Sequence, residues 1–232
     1  MPRDDHHQGH RTEPMFNAPA VVLVAVIAIV ALHGLTYFLT DKDYTRLVYD
    51  YAVVPRRFFA PPGSEDAYPN IFAAGLTLVS TALLHTGWLH VLVNAGMLLA
   101  FGAQVARILG LGWRGAGLWL LVFLGSTAAG SAVYLAAAGA SGGAAVGASG
   151  GVSGLIGAAF LAGFDGRGRS LVSRSFLLMT AAFIGSNALL AFAGPSLVGS
   201  GIAWQAHLGG YVAGALLMLL LMPRAAAPED AV

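Results

Sequence analysis

The chain has 232 residues, of which 57% are hydrophobic and only 10% are charged, whereas a soluble domain has about 45–50% apolar and about 25% charged residues. This composition excludes a soluble monomer and indicates one polytopic domain in a lipid bilayer. The net charge of +1 and the absence of cysteine argue against a nucleic-acid partner and exclude disulfide bonds, thiol nucleophiles and cysteine-bound metals.

Six apolar segments predict membrane spans, because a helix crosses a bilayer with about 20 mostly apolar residues. In chain order they are Ala20–Leu39, Trp88–Val105, Ala116–Ala138, Ser149–Phe164, Phe176–Ala193 and Ala203–Met222. The predicted fold is therefore an all-α membrane protein with six transmembrane helices. Its membrane domain is expected to cover residues 17–222, between a polar tail of residues 1–16 and a second tail of residues 223–232.

The basic residues predict the orientation of these spans, because short cytoplasmic loops collect Lys and Arg. Eight of the 12 basic residues lie on one side if the spans alternate: Arg3, Arg11, Arg107, Arg114, Arg167, Arg169, Arg174 and Arg224. Two of the opposite loops, residues 139–148 and 194–202, contain no charge, whereas the long first loop breaks the pattern with Lys42, Arg46, Arg56 and Arg57. We therefore expect both termini to be cytoplasmic. The apolar stretch Asn70–Leu84 is predicted to be an interfacial part of the first loop.

Histidines at bilayer depth are costly and by default indicate function. His33 lies alone in the first span, near Thr36 and Tyr37, and is expected to be a structural histidine with satisfied nitrogens. The polar N-terminal tail contains three more histidines, for which solvation or fortuitous metal binding is expected: His6, His7 and His10.

The segment HTGWLHVLVNAG places two hydrogen-bonding side chains at the start of the second span. His90 and Asn94 are four residues apart and therefore share one helix face. Two donors on an otherwise apolar helix suit an oxyanion, but hydrogen bonding between helices explains them equally well.

The segment AVGASGGVSGLIGAAF combines a serine with a glycine-rich helix start. Ser149 lies where the first N–H groups of a helix lack internal partners, which suits an oxyanion beside a serine nucleophile. Ser153 lies one turn deeper, where these groups are already bonded, so Ser149 is the preferred nucleophile. Gly147 and Gly150 each have a glycine four residues later, and close helix packing alone also explains this pattern.

The segment AWQAHLGGYVAG supplies a histidine to the last span. His207 is followed by Gly210 and Gly214, a small-residue seam that can pack on the glycines of the fourth span. A histidine held near a serine is a nucleophile with its general base. Asp165 lies about 24 Å from Ser149 along the predicted helix, so a carboxylate is not available to orient the imidazole.

These three segments, in this order, resemble the rhomboid family of intramembrane serine proteases over about residues 76–214. The matching stretches are LVSTALLHTGWLHVLVNAGMLLAFG, GASGGVSGLIGA and AHLGGYVAG. The resemblance implies Ser149 as nucleophile and His207 as its base. It also implies an oxyanion hole of His90, Asn94 and the Ser149 N–H, and a supporting hydrogen-bonding role for His85.

The family resemblance further implies an endopeptidase that cleaves transmembrane segments of other membrane proteins without cofactor or metal, in a bacterial inner membrane. Three departures from the family pattern concern residues outside the catalytic set. Leu76-Thr77 stands where many members have Trp-Arg, and Ala106 where an acidic residue is common. Ser153 occupies a position from which an aromatic residue packs on the catalytic histidine in some members.

Four other functions fit the sequence less well. An inactive relative that binds transmembrane clients would lack the serine or the histidine, and both are present. A channel or transporter would need charges in mid-span, which are absent. A metalloprotease would need the H-E-x-x-H motif, and an aspartyl protease two intramembrane aspartates, whereas Asp50 and Asp165 lie in or beside loops.

Overall fold

The computed structural model describes residues 18–163, 166, 170–198 and 201–222. Within them the chain forms ten α-helices: α1 Ala20–Thr36, α2 Asp41–Tyr51, α3 Pro55–Phe58, α4 Ile71–Ser80, α5 Trp88–Met97, α6 Ala103–Leu109, α7 Trp113–Ala138, α8 Ser149–Ala162, α9 Arg174–Val198 and α10 Trp204–Leu221. The predicted all-helical architecture is confirmed for these residues. The two predicted tails and the tail histidines lie outside the described residues.

Four helical segments of the described chain are long and apolar enough to cross a bilayer: Trp88–Leu109, Trp113–Ser141, Arg174–Phe192 and Trp204–Leu221. They correspond to the predicted second, third, fifth and sixth spans. The predicted first and fourth spans form shorter helices, α1 with 17 residues and α8 with 14. At 1.5 Å per residue these are about 26 and about 21 Å long. The predicted count of six spans is therefore not confirmed.

Two further predictions concern the first loop and the end of the fourth span. The stretch Asn70–Leu84 forms α4 and a short 3₁₀ turn, Thr81–Leu83, which together are a short apolar helix. Its interfacial position stays a prediction. Phe164, the predicted end of the fourth span, and Asp165 lie outside the described residues.

Helix α8 is the central helix of the bundle and packs mainly on α7 and α10. Almost all of its residues are buried. A helix with apolar residues on every side needs partners all round, and α8 is rich in glycine and alanine, which let neighbouring backbones come close. The first residue of this buried helix is Ser149.

The contact between α8 and α10 is a glycine seam without intervening side chains. A Cβ added to Gly210 would overlap the carbonyl of Gly150, and one added to Gly214 would overlap the carbonyl of Gly154. Backbone therefore lies against backbone at two successive turns. This close approach brings the N-terminal ends of α8 and α10 together.

A π-helical turn, Leu98–Gly102, joins α5 to α6 and fixes the position of α5. The indole N–H of Trp119 in α7 donates to the carbonyl of Gly102 at 2.9 Å. A Cβ on Gly102 would lie 3.2 Å from the Trp119 ring and 3.5 Å from Leu155 of α8. The helix that carries His90 is thus held against both α7 and α8.

The long first loop is anchored by a buried arginine. Arg57 is only 7% exposed, and its guanidinium lies 4.0 Å from the ring centre of Tyr49 and 4.1 Å from that of Tyr68. It also donates to the carbonyl of Tyr49 at 2.6 Å and to that of Asp66 at 3.3 Å. Arg57 therefore connects the residues around Tyr49 with those around Asp66 and anchors this loop.

This anchored loop supports the chain segment that enters α8. Val53 and Ala145 form an antiparallel β-bridge with N···O distances of 3.2 and 2.8 Å. The hydroxyl of Thr81 donates to the carbonyl of Ala145 at 2.6 Å, and the N–H of Gly147 donates to the carbonyl of Thr81 at 3.0 Å. The residues just before Ser149 are therefore held by backbone contacts.

Candidate active site

Ser149 and His207 are in direct contact at the meeting point of α8 and α10. The His207 Nε2 atom lies 2.9 Å from the Ser149 Oγ atom. His207 is four residues into α10, one turn before Gly210, so the glycine seam sets its distance from α8. The hydroxyl that the imidazole contacts is that of Ser149, while Ser153 is buried one turn further along α8.

Asn187 of α9 binds the other side of the same imidazole. Its Oδ1 atom lies 2.8 Å from the His207 Nδ1 atom, and the Asn187 side chain is buried. Sequence reasoning missed this residue. A signal was available, because an asparagine within an apolar span needs a hydrogen-bonding partner, but the partner is 20 residues away and belongs to another helix.

The start of α8 presents a free backbone donor beside Ser149. The N–H of Gly147 is bonded to Thr81, and the N–H of Ala148 donates to the His85 Nε2 atom at 3.3 Å. The N–H of Ser149 makes no hydrogen bond to any described residue, and α8 has no side-chain cap there. A developing oxyanion at this helix start would meet that N–H and the positive end of the helix dipole.

His90 of α5 faces the same space over Gly147. A Cβ added to Gly147 would lie 2.7 Å from the His90 Nε2 atom and 3.7 Å from the Ser149 Oγ atom. The His90 Nδ1 atom lies 3.2 Å from the Thr86 hydroxyl. When that hydroxyl donates to Nδ1, the ring proton is on Nε2, which then faces the space beside Ser149 as a donor.

Asn94 is buried one turn after His90, at 3% exposure. Its Nδ2 atom donates to the carbonyl of His90 at 3.1 Å. A side-chain amide has two N–H groups, so one of them remains for a ligand. The structure thus places His90 and Asn94 on one helix, joined by a hydrogen bond.

His85 stabilises the chain just before the serine. The Ala148 N–H donates to its Nε2 atom, which requires the unprotonated nitrogen of a neutral ring. Burial, with smaller contributions from His90 and His33, lowers the pKa of His85 to about 3. His85 is therefore neutral at physiological pH and can keep accepting this hydrogen bond.

His33 differs from its expectation. It is buried at 3% exposure, but neither ring nitrogen makes a hydrogen bond within the described part of the chain. The expectation of satisfied nitrogens is therefore not confirmed. Instead, the ring packs edge-on against Trp88, with ring centres 4.9 Å apart, and against Tyr37, 5.5 Å apart, so aromatic packing of α1 on α5 holds it in place.

The described residues contain no group of three or more His, Cys, Asp or Glu side chains that could hold a metal ion. The polar groups at the meeting point of α5, α8, α9 and α10 are the hydroxyl and N–H of Ser149, the imidazoles of His90 and His207 and the carboxamide of Asn187, while the Asn94 amide is bonded to the carbonyl of His90. Such groups can transfer a proton and donate hydrogen bonds to an anion. The arrangement suits nucleophilic attack by an activated hydroxyl.

The long apolar helices and this polar cluster between them define an integral membrane protein of the polytopic helical class. The rhomboid domain family model matches residues 74–224, which is more than half of the chain and includes every residue of the cluster, and the chain therefore belongs to the rhomboid family. That family typically consists of intramembrane serine proteases. Comparison with curated proteins gives no significant match.

Proposed function

We propose that this protein is an intramembrane serine endopeptidase that cleaves transmembrane segments of other membrane proteins. The observation that carries the proposal is the 2.9 Å contact between the Ser149 Oγ and His207 Nε2 atoms. A hydroxyl attacks a peptide carbonyl only when a base removes its proton, and this imidazole nitrogen is in place to do so. Membership of the rhomboid family supports the same activity.

In the proposed mechanism, the Ser149 oxygen attacks the scissile carbonyl while its proton passes to the His207 Nε2 atom. The carbonyl oxygen becomes an oxyanion, stabilised by the Ser149 N–H, the His90 Nε2–H and the free N–H of the Asn94 amide. His207 then gives its proton to the leaving amine, which breaks the C–N bond and leaves an acyl-enzyme. Water activated by His207 hydrolyses this ester and restores Ser149.

We propose that the site opens to the non-cytoplasmic face, with both termini in the cytoplasm of a bacterial cell. The charge-free loops before α8 and before α10 support this orientation, because the basic residues concentrate in the loops on the other side. Ser149 and His207 both lie near the start of their helices. Substrates would then be cleaved near that face, in segments of low helical stability that can adopt an extended conformation.

The test is covalent labelling of the detergent-solubilised protein with a fluorophosphonate, read by intact mass. We expect one adduct on the wild type, none on Ser149→Ala, and one on Ser153→Ala, together with cleavage of a model transmembrane substrate by the two labelled forms only. Labelling that survives Ser149→Ala and is lost in Ser153→Ala would reverse the assignment of the nucleophile. A folded wild type that neither labels nor cleaves would favour a client-binding relative without activity.

A further inference from the structure

We infer that Asn187 is a positioning residue for His207, so that the site operates as a Ser149–His207–Asn187 triad without a carboxylate. This inference rests on the proposed protease function. Hydrogen bonds of 2.9 and 2.8 Å link the three side chains in a continuous chain from α8 through α10 to α9. The sequence offered no carboxylate to orient the imidazole, and the Asn187 amide orients it instead.

The orientation of the Asn187 amide follows from its second contact. Its Nδ2 atom donates to the carbonyl of Phe183 at 3.0 Å. The reversed amide would place two oxygens in contact there, so Oδ1 is the atom that faces His207. Because Oδ1 can only accept, the His207 Nδ1 atom must carry the ring proton. The Nε2 atom of the neutral ring is then unprotonated and free to accept the proton of Ser149.

The position of Asn187 is set by the packing of α9 on α10. The face of α9 turned toward the bundle consists of Phe176, Thr180, Phe183 and Asn187, spaced by four, three and four residues. One turn beyond His207, Tyr211 stacks on Phe183 with ring centres 4.3 Å apart and shares a 2.6 Å hydrogen bond with Thr180. The stacking of Tyr211 on Phe183 therefore fixes the register that brings Asn187 to His207, and the Thr180 hydroxyl bond lies beside it.

A neutral amide suits this buried position better than a carboxylate would. An unpaired charge there would be costly to bury, whereas the amide oxygen still favours the imidazolium that forms during attack. The titratable side chain that faces His207 from a neighbouring helix of the described chain is His90, which supplies no negative charge. An asparagine has the same part opposite the histidine of papain-like cysteine proteases.

The experiment compares two substitutions of Asn187 with two controls on α9, using the full-length protein in proteoliposomes and a model transmembrane substrate. Asn187→Leu keeps the size of the side chain but removes the acceptor, and Asn187→Asp keeps an acceptor. Thr180→Val removes the hydroxyl contact between α9 and α10. Ser186→Ala removes a 2.8 Å hydrogen bond to the same Phe183 carbonyl. Neither control touches His207.

We expect Asn187→Leu to lower kcat and the rate of fluorophosphonate labelling about 5- to 150-fold, because the Nδ1–H is left buried without an acceptor. KM and both controls should stay within about threefold of the wild type. Asn187→Asp should recover only part of kcat, because its second oxygen meets the Phe183 carbonyl, and should move the acidic limb of the pH–kcat profile to higher pH, because a carboxylate favours the protonated ring. If Asn187→Leu does not fold, this movement of the limb decides the question.

The inference is overturned by a kcat of Asn187→Leu equal to that of the controls, by an effect confined to KM, or by an unchanged acidic limb in Asn187→Asp. Nitrogen-15 spectra of histidine-labelled protein add a readout that needs no activity, with the His207 signals identified by their loss in His207→Gln. The wild type should have its ring proton on Nδ1, and Asn187→Leu should lose this preference. A wild type that shows this tautomer but neither labels nor cleaves would refute the protease function alone.

Discussion

Replacement of Gly147 by alanine tests the close packing of the His90 ring on the chain just before α8. Gly147 has φ +124°, a conformation that L side chains rarely adopt, and an added Cβ would lie 2.7 Å from the His90 Nε2 atom. An ordinary contact needs about 3.4 Å, so His90 or the loop has to move by about 0.7 Å. Backbone strain of this kind costs about 1–3 kcal/mol.

A displacement of about 0.7 Å is large for a group that donates to an oxyanion, because a shift of about 1 Å can cost about 10²-fold in rate. We therefore expect Gly147→Ala to lower kcat about 10- to 100-fold and the free energy of unfolding by about 1–3 kcal/mol. The assays are cleavage of a transmembrane substrate and denaturant unfolding in the same detergent.

Alanine substitutions at two other glycines distinguish backbone strain from the clash with His90 as the cause of the lower kcat. Gly139 also has a positive φ, +59°, and Gly143 has an ordinary φ, and neither has any atom within 4 Å of an added Cβ. Gly139→Ala should lower stability with little change in kcat, and Gly143→Ala should change neither. Equal kcat in Gly147→Ala and Gly139→Ala would refute the clash with His90. So would strict additivity of Gly147→Ala with His90→Ala, because removal of the ring should relieve the clash.

Three further substitutions test the site and its support. Asn94→Ala should lower kcat about 10²–10³-fold, as expected for one oxyanion donor, and His207→Ala should lower it more; equal residual activities would contradict these roles. The free energy of unfolding should fall as pH drops from 6.5 toward about 3, by up to about 1.4 kcal/mol per pH unit, because the unfolded histidine binds a proton that buried His85 does not. Denaturant titrations at several pH values should show a flatter dependence for His85→Gln, and equal slopes would refute this cause. Arg57→Lys should destabilise the protein by about 1–3 kcal/mol, because lysine cannot bond several carbonyls while stacked between two tyrosine rings, and an unchanged thermal midpoint would refute the anchoring role.

The pairing of Ser149 with His207 was predicted from two local patterns together with the resemblance to the rhomboid family. One short segment shows a serine at a glycine-rich helix start. Another short segment shows a histidine one turn before a glycine seam. The seam also implies its partner, since only another small-residue helix can approach it closely. Gly150 and Gly210 then bring the two side chains together in the structure.

Other features depend on contacts between distant segments, which spacing does not reveal. Asn187 has no partner on its own helix except a backbone carbonyl, so its role depends on how α9 lies against α10. In the sequence, Arg57 is one of several charged residues in a long loop. Only the fold shows that it lies between two tyrosine rings. His33 was expected to have satisfied nitrogens, because a polar side chain usually finds a hydrogen bond, whereas aromatic packing surrounds it here.

The uneven packing of the helices has a consequence for thermal behaviour. Helix α8 is enclosed on nearly every side, whereas α9 is exposed along most of its length and contacts the bundle by one narrow face. Elements with few buried contacts open locally at a lower free energy than the core does, and their amides exchange hydrogen sooner. The nucleophile and its base lie on the closely packed pair α8 and α10, but the Asn187 side chain that contacts the imidazole lies on the loosely packed α9. Heating should therefore disturb the ring tautomer, and with it turnover, at temperatures where the central helices are still folded.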